Sequence, residues 1–321
     1  MEGIRRERPI RLHRRDNLPV NGNREWKMPY LNRNQRVSIT DRIIEAIETG
    51  CPPWRKPWTG SVNGASLPLR HNGEPYRGIN VLLLWAVADR KGYSSARWLT
   101  FRQAQVLGGR VRRGERSASV VKCGTAVRED ENGDERVVRF ARSYAVFNAD
   151  QIDDLPASLY NPLDPVRDLG TRSDPELDSF FEATGATIVT VDEPRAYYDI
   201  GLDRIHVPPI STFHDADGYY ATLAHELTHW TGSESRLDRF SRLCANEDYA
   251  FEELVAEIGN CLLCATLGLT PDFRQTGAYL EQWLGILQED GRAIFSASSE
   301  AQKAVDYILG LQKRKVLPAA A

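Results

Sequence analysis

Residues 217–232 read DGYYATLAHELTHWTG, and the run His225-Glu226-Leu227-Thr228-His229 at the centre decides how the C-terminal half folds. Positions i and i+4 of an α-helix share one face, so the two imidazoles can converge on one ion. Tyr220, Leu223, Ala224, Leu227 and Trp230 fall on the complementary face, which makes this a core helix, and Gly232 stops it. The chemistry that suits the pattern is a site for one zinc per chain. His225 and His229 are the ligands, and Glu226 is the base that takes a proton from water.

A catalytic zinc takes a third protein ligand. Residues 247–268, EDYAFEELVAEIGNCLLCATLG, read as a second helix with Phe251, Leu254, Ile258, Cys261 and Ala265 as its core stripe. Glu253, Glu257 and Asn260 line up on another face, and carboxylates on so apolar a helix are costly unless paired or bound to metal. The expectation is Glu253 as third ligand and Glu257 as the carboxylate that fixes one imidazole, with the reverse left open by the geometry. Cys261 and Cys264 form a CxxC, but inside an apolar helix they read as core. His206 and His214 have no assigned role. The stretch from Asp203 to Val207 reads either as an edge strand able to accept an extended peptide or as an ordinary sheet strand.

Outward from this site the chain is a 321-residue α+β protein, long enough for two cores. Its formal charge of −3 hides an asymmetry: residues 1–150 hold 28 Lys and Arg against 16 Asp and Glu, a net of +12, and the remainder is −15. A basic half joined to an acidic half suits one domain to a polyanion and the other to different work. Five cysteines without a disulfide pattern point to a reducing cytoplasm. The longest apolar run, Val81 to Ala88, is too short to span a membrane, and the charged first residues do not suit a signal peptide.

The boundaries expected are a flexible basic arm at 1–36, a nucleic-acid-binding domain at 37–150, a proline-rich linker at 151–175 and the metal domain at 176–321. A Ser-x-x-Asp cap at Ser38 opens the first helix, 79–91 reads as a buried helix and 100–107 as a shorter one. Two strands, ASVVKCGTAV and ERVVRFARSYAVF, flank a polar turn from Glu129 to Asp134. Across 51–116, aromatics alternate with cations: Trp54, Arg55, Lys56, Trp58, Tyr76, Arg77, Arg97, Trp98, Phe101 and Arg102, then Arg110, Arg112 and Arg113. Single-stranded DNA needs both, cations for phosphates and flat rings for unstacked bases.

The run from Pro75 to Arg116, followed by YAVFNADQ, resembles the N-terminal domain of ArdC-type antirestriction proteins. The stretches YYATLAHELTHWTGSESRLDR and YAFEELVAEIG are similar to their C-terminal zincin-like metallopeptidase domain, in the family's order from about Ser38 to Leu311. The resemblance implies a protein of plasmids or other mobile elements. Its N-terminal domain would bind single-stranded DNA, and the whole would protect incoming DNA from a host restriction enzyme. His225, Glu226 and His229 match the zinc motif directly, and the helix of Glu253 and Glu257 matches the family's acidic helix. The rival reading is a non-enzymatic shield for single-stranded DNA whose zincin half is a scaffold for partner docking.

Overall fold

The computed structural model describes residues 66–129, 135–160, 169–242, 246–271 and 280–316, with scattered positions between 40 and 52. The described residues of Glu25–Val166 and Phe273–Ser299 form one compact unit, and those of Arg167–Asp272 and Glu300–Ala321 form another. The sequence suggests consecutive blocks. Packing instead groups residues 280–299 with the described residues before 161. One such contact is Thr40, whose Oγ1 donates to the Gly291 carbonyl at 2.6 Å. A bond across so many residues leaves no local sequence signal.

In the basic unit, β1 (Leu69–Arg70) leads to α1 (Ile79–Lys91), β2 (Arg97–Leu99), α2 (Phe101–Val106) and β3 (Arg110–Val111). The long strands β4 (Ala118–Glu129) and β5 (Glu135–Asn148) follow, then β6 (Ile152–Asp153). The sheet order is β1-β2-β5-β4, with β4 and β5 antiparallel and in register from Ala118↔Val146 to Glu129↔Glu135. Gly92 ends α1 with φ 67°, a left-handed conformation in which a Cβ would be strained. Asn80 anchors α1 on the sheet: its amide donates to the Val121 carbonyl and accepts from the Val121 N–H, both at 2.7 Å. Leu84, Trp98, Ala118, Val120 and Val146 close the core between them.

The expected linker begins inside this unit. β6 pairs antiparallel with β3, and Ile152, Leu155 and Leu159 pack with Leu99 and Ala104. Gly109 permits it, since a Cβ there would lie 2.5 Å from a Leu155 methyl.

The acidic unit runs α3 (Pro175–Ala183), β7 (Thr187–Thr190), β8 (Tyr197–Asp199), β9 (Arg204–Val207), α4 (Ala216–Trp230) and α5 (Asn246–Leu267). Two further helices follow in the chain: α6 (Leu280–Glu289) belongs to the basic unit, and α7 (Ala293–Val316) divides between the units after Ser299. Strand order is β7-β9-β8, parallel then antiparallel. Of the two readings of 203–207, this favours the ordinary sheet strand: β9 is central and pairs on both edges, while β7 and β8 form the edges of this sheet among the described residues. Asp174 caps α3 by accepting from the Glu176 and Leu177 N–H groups, and Asp215 caps α4 through the Gly218 N–H at 2.7 Å. Among the described residues, no helix is long and apolar enough to cross a membrane.

The crossing of α4 and α5 brings the chemistry together, and Gly259 sets how close they come. A Cβ at Gly259 would sit 2.5 Å from Thr228 Cγ2 and 2.8 Å from its Oγ1. Alanine normally favours a helix over glycine by about 1 kcal/mol, but here the added methyl must push the helices apart. Gly259→Ala is therefore expected to destabilise the chain by about 1–3 kcal/mol in urea unfolding. Equal or greater stability would show that the crossing has slack.

Candidate metal centre

His225 and His229 stand one turn apart on α4, with their Nε2 atoms 3.2 Å from each other. Glu253 reaches in from α5. Its Oε2 is 3.7 Å from His225 Nε2 and its Oε1 is 3.5 Å from His229 Nε2. One ligand atom from each of the three residues can be chosen so that all lie within 4.8 Å of one another. Glu253 Oε1 is buried and accepts no hydrogen bond from the described residues. Two imidazole nitrogens and an orphaned carboxylate oxygen converging this way form a donor set suited to a divalent cation.

Charge confirms how tightly the groups are coupled. Burial would raise the Glu253 carboxyl, but the two imidazoles outweigh it and hold it well below the usual range. Burial would lower His229, yet Glu253 and Glu252 push it up to about 10. Glu226 lies on the same helix and is only 8% exposed, and burial pushes its carboxyl upward.

The partners of the imidazoles differ from expectation in one respect. Glu257 Oε2 lies 3.7 Å from His225 Nδ1, the place foreseen for a fixing carboxylate. The shorter contact is made by Glu252, whose Oε1 lies 3.2 Å from His229 Nδ1. Glu252 is fully buried and is itself gripped by Arg239. Neither Glu252 nor Arg239 stands out from local sequence spacing. A second glutamate beside Glu253, on a helix otherwise apolar, was the available signal.

Cys261 and Cys264 are buried core thiols, and Cys264 Sγ donates to Asn260 Oδ1 at 3.1 Å. His206 stacks on Tyr197 with ring centroids 4.6 Å apart, and His214 is exposed beside Asp215.

The expected DNA-binding residues do not all come forward. Trp54, Arg55, Lys56 and Trp58 lie outside the described residues, as does the arm at 1–36. Trp98 is 1% exposed in the core of the basic unit, so its ring cannot stack on a base. Its strand position packs it against Leu84 under α1, a placement that cation–aromatic alternation does not reveal. Arg110 pairs with Asp154 at 2.8 Å, and Arg112 with Glu115 at 3.1 Å and Asp153 at 3.4 Å. These carboxylates offset much of the charge expected to meet phosphate. Arg97 donates to the Arg70 carbonyl at 3.1 Å, and Tyr76 is half-buried with Arg70 over its ring. Arg77 and Arg113 are exposed. Phe101 is 52% exposed at the start of α2, next to exposed Arg102.

A helix carrying two histidines and a glutamate, crossed by a second helix that brings another glutamate, is the arrangement of a zincin-like metallopeptidase. Residues 175–300 match the family model of that description, MPTase-PolyVal, and residues 33–147 match the N-terminal domain of anti-restriction factor ArdC. The metal-free crystal structure of antirestriction protein ArdC from plasmid R388 is 58% identical, with a TM-score of 0.80, covering 87% of this chain and 98% of that one. The Mn(II)-bound structure of the same protein is 56% identical, with a TM-score of 0.76 and coverage of 88% and 98%. A DNA primase TraC of Escherichia coli is 38% identical over 299 residues, 87% of this chain, which spans only 27% of the primase. The chain belongs to the ArdC family of antirestriction proteins.

Proposed function

We propose that this protein shields incoming plasmid DNA from host restriction by holding single-stranded DNA on its basic unit and hydrolysing a protein substrate at its metal centre. Glu226, lodged beside the triad of His225, His229 and Glu253, is the observation that carries the hydrolytic half. In this reading the three residues hold one zinc, which supplies Lewis acidity and a water of pKa about 7. Glu226 accepts the proton from the attacking water and later passes it to the leaving amine. Burial raises the proton affinity of Glu226, which suits a base that must also give its proton back.

The DNA-binding half rests on the net charge of +12 over residues 1–150 and on exposed Arg77, Phe101, Arg102 and Arg113. Binding to a labelled single-stranded oligonucleotide should weaken steeply with salt. Arg113→Ala is expected to reduce the salt slope by about 1, a full phosphate contact. Arg110→Ala should reduce it less, because Arg110 is already paired with Asp154. Equal slopes for both variants and wild type would move the DNA site elsewhere.

The whole proposal is tested by transferring unmodified plasmid into a restricting host. Wild type should protect, and Glu226→Gln should fail to protect while still binding DNA. Full protection by Glu226→Gln would leave the DNA shield as the function and the zincin unit as a scaffold.

A further inference from the structure

We infer that Arg239 and Glu252 act as one unit that positions His229 and thereby sets the affinity of the metal centre; this rests on the metal-binding reading above. Glu252 is fully buried and Arg239 is 3% exposed. The guanidinium donates to both carboxylate oxygens, Nε to Oε2 at 3.0 Å and Nη2 to Oε1 at 2.8 Å. It also donates from Nη1 to Thr231 Oγ1 at 2.8 Å and from Nη2 to the Thr228 carbonyl at 2.7 Å. A two-point grip of this kind fixes the plane of the carboxylate as well as its position. Glu252 Oε1, so held, lies 3.2 Å from His229 Nδ1. With Nδ1 held against Glu252, the ring turns Nε2 toward Glu253 and His225, the position from which it would bind a metal.

The surrounding residues serve this geometry. Arg239 comes from the segment after α4, and Gly232 makes room for it. A Cβ at Gly232 would lie 3.0 Å from Arg239 Nη2 and 2.8 Å from Phe240 Cζ. The Thr228 carbonyl and Thr231 hydroxyl that receive Arg239 belong to the end of α4, so the guanidinium ties that end to α5. A buried ion pair is an inefficient way to stabilise a fold, because apolar residues of similar volume do as well or better. Its presence against a metal-facing imidazole is accounted for by orientation. Glu257, at 3.7 Å from His225 Nδ1, makes a looser counterpart on the other ring.

The test is a Co(II) titration of the chelator-stripped full chain, followed by visible absorbance, alongside thermal unfolding of each metal-free variant. Removing one partner strands a buried charge, so the main variant replaces both, Arg239→Met with Glu252→Leu. It should unfold cooperatively near the wild-type midpoint yet bind Co(II) roughly 10–100-fold more weakly, with an altered visible spectrum. Arg239→Lys, which keeps the charge but not the two-point grip, should fall between it and wild type. Should the double variant not fold, Arg239→Lys, which keeps both charges, carries the test alone, with weakening of about 10-fold expected. A folded variant with wild-type affinity and spectrum would reduce the pair to a structural role. Wild type that takes up no Co(II) would overturn the metal reading itself, a separate and recognisable result.

Discussion

Glu226→Gln is expected to lower peptide hydrolysis roughly 100- to 10,000-fold, the usual worth of a general base, while leaving metal content unchanged. The substitution preserves volume, and Glu226 is not among the three groups that converge as a donor set. What disappears is a basic site beside the ion. Metal content by elemental analysis and turnover of a denatured protein substrate measure the two effects separately. Retained turnover would remove Glu226 from the chemistry, and lost metal would make it a ligand.

The second large effect is expected at Glu253. Wild type should carry about one zinc per chain, and Glu253→Ala should lose most of it under the same dialysis. Losing an outer partner of a ligand already costs roughly 10–100-fold in affinity, so loss of a direct ligand should cost at least that. Glu257→Ala provides the contrast. Its carboxylate meets His225 at Nδ1, on the far side of the ring from the shared Nε2 face, so its loss should weaken zinc binding without emptying the site. If Glu257→Ala empties the site and Glu253→Ala does not, the roles of the two carboxylates are exchanged.

The two predictions rest on different amounts of sequence information. His225, Glu226 and His229 are legible because helical periodicity places them on one face regardless of their surroundings. Glu253 and Glu257 are legible as a pair, since two carboxylates on an apolar helix need partners. Their division of labour depends on how α5 is rotated and how near it comes to α4, which Gly259 and Thr228 govern. Glu252 escapes the sequence reading for the same reason. Its value comes from Arg239, thirteen residues away, on a segment with no periodic signal.

In the basic unit the same division holds. Alternating patterns announce β4 and β5, and a continuous apolar run announces α1, because these depend on neighbours one or two turns away. The excess of cations over residues 1–150 is a property of the sequence alone. Which cations stay available is not, because Asp153 at the end of β6 meets Arg112 just past β3, and Asp154 just past β6 meets Arg110 on β3. Trp98 likewise looks suited to stacking until the sheet and α1 close over it.

The sequence by itself thus determined the α+β class, the helix with its two histidines, the acidic helix after it and the charge division between halves. Each is written in short-range spacing or simple composition. Only the tertiary structure decided which carboxylate lies between the imidazoles, which one Arg239 grips, that β9 is a central strand, and that residues 280–299 group with the basic unit. Those outcomes are set by contacts between residues far apart in the chain, where steric fit and charge pairing select one arrangement among many that the local pattern allows.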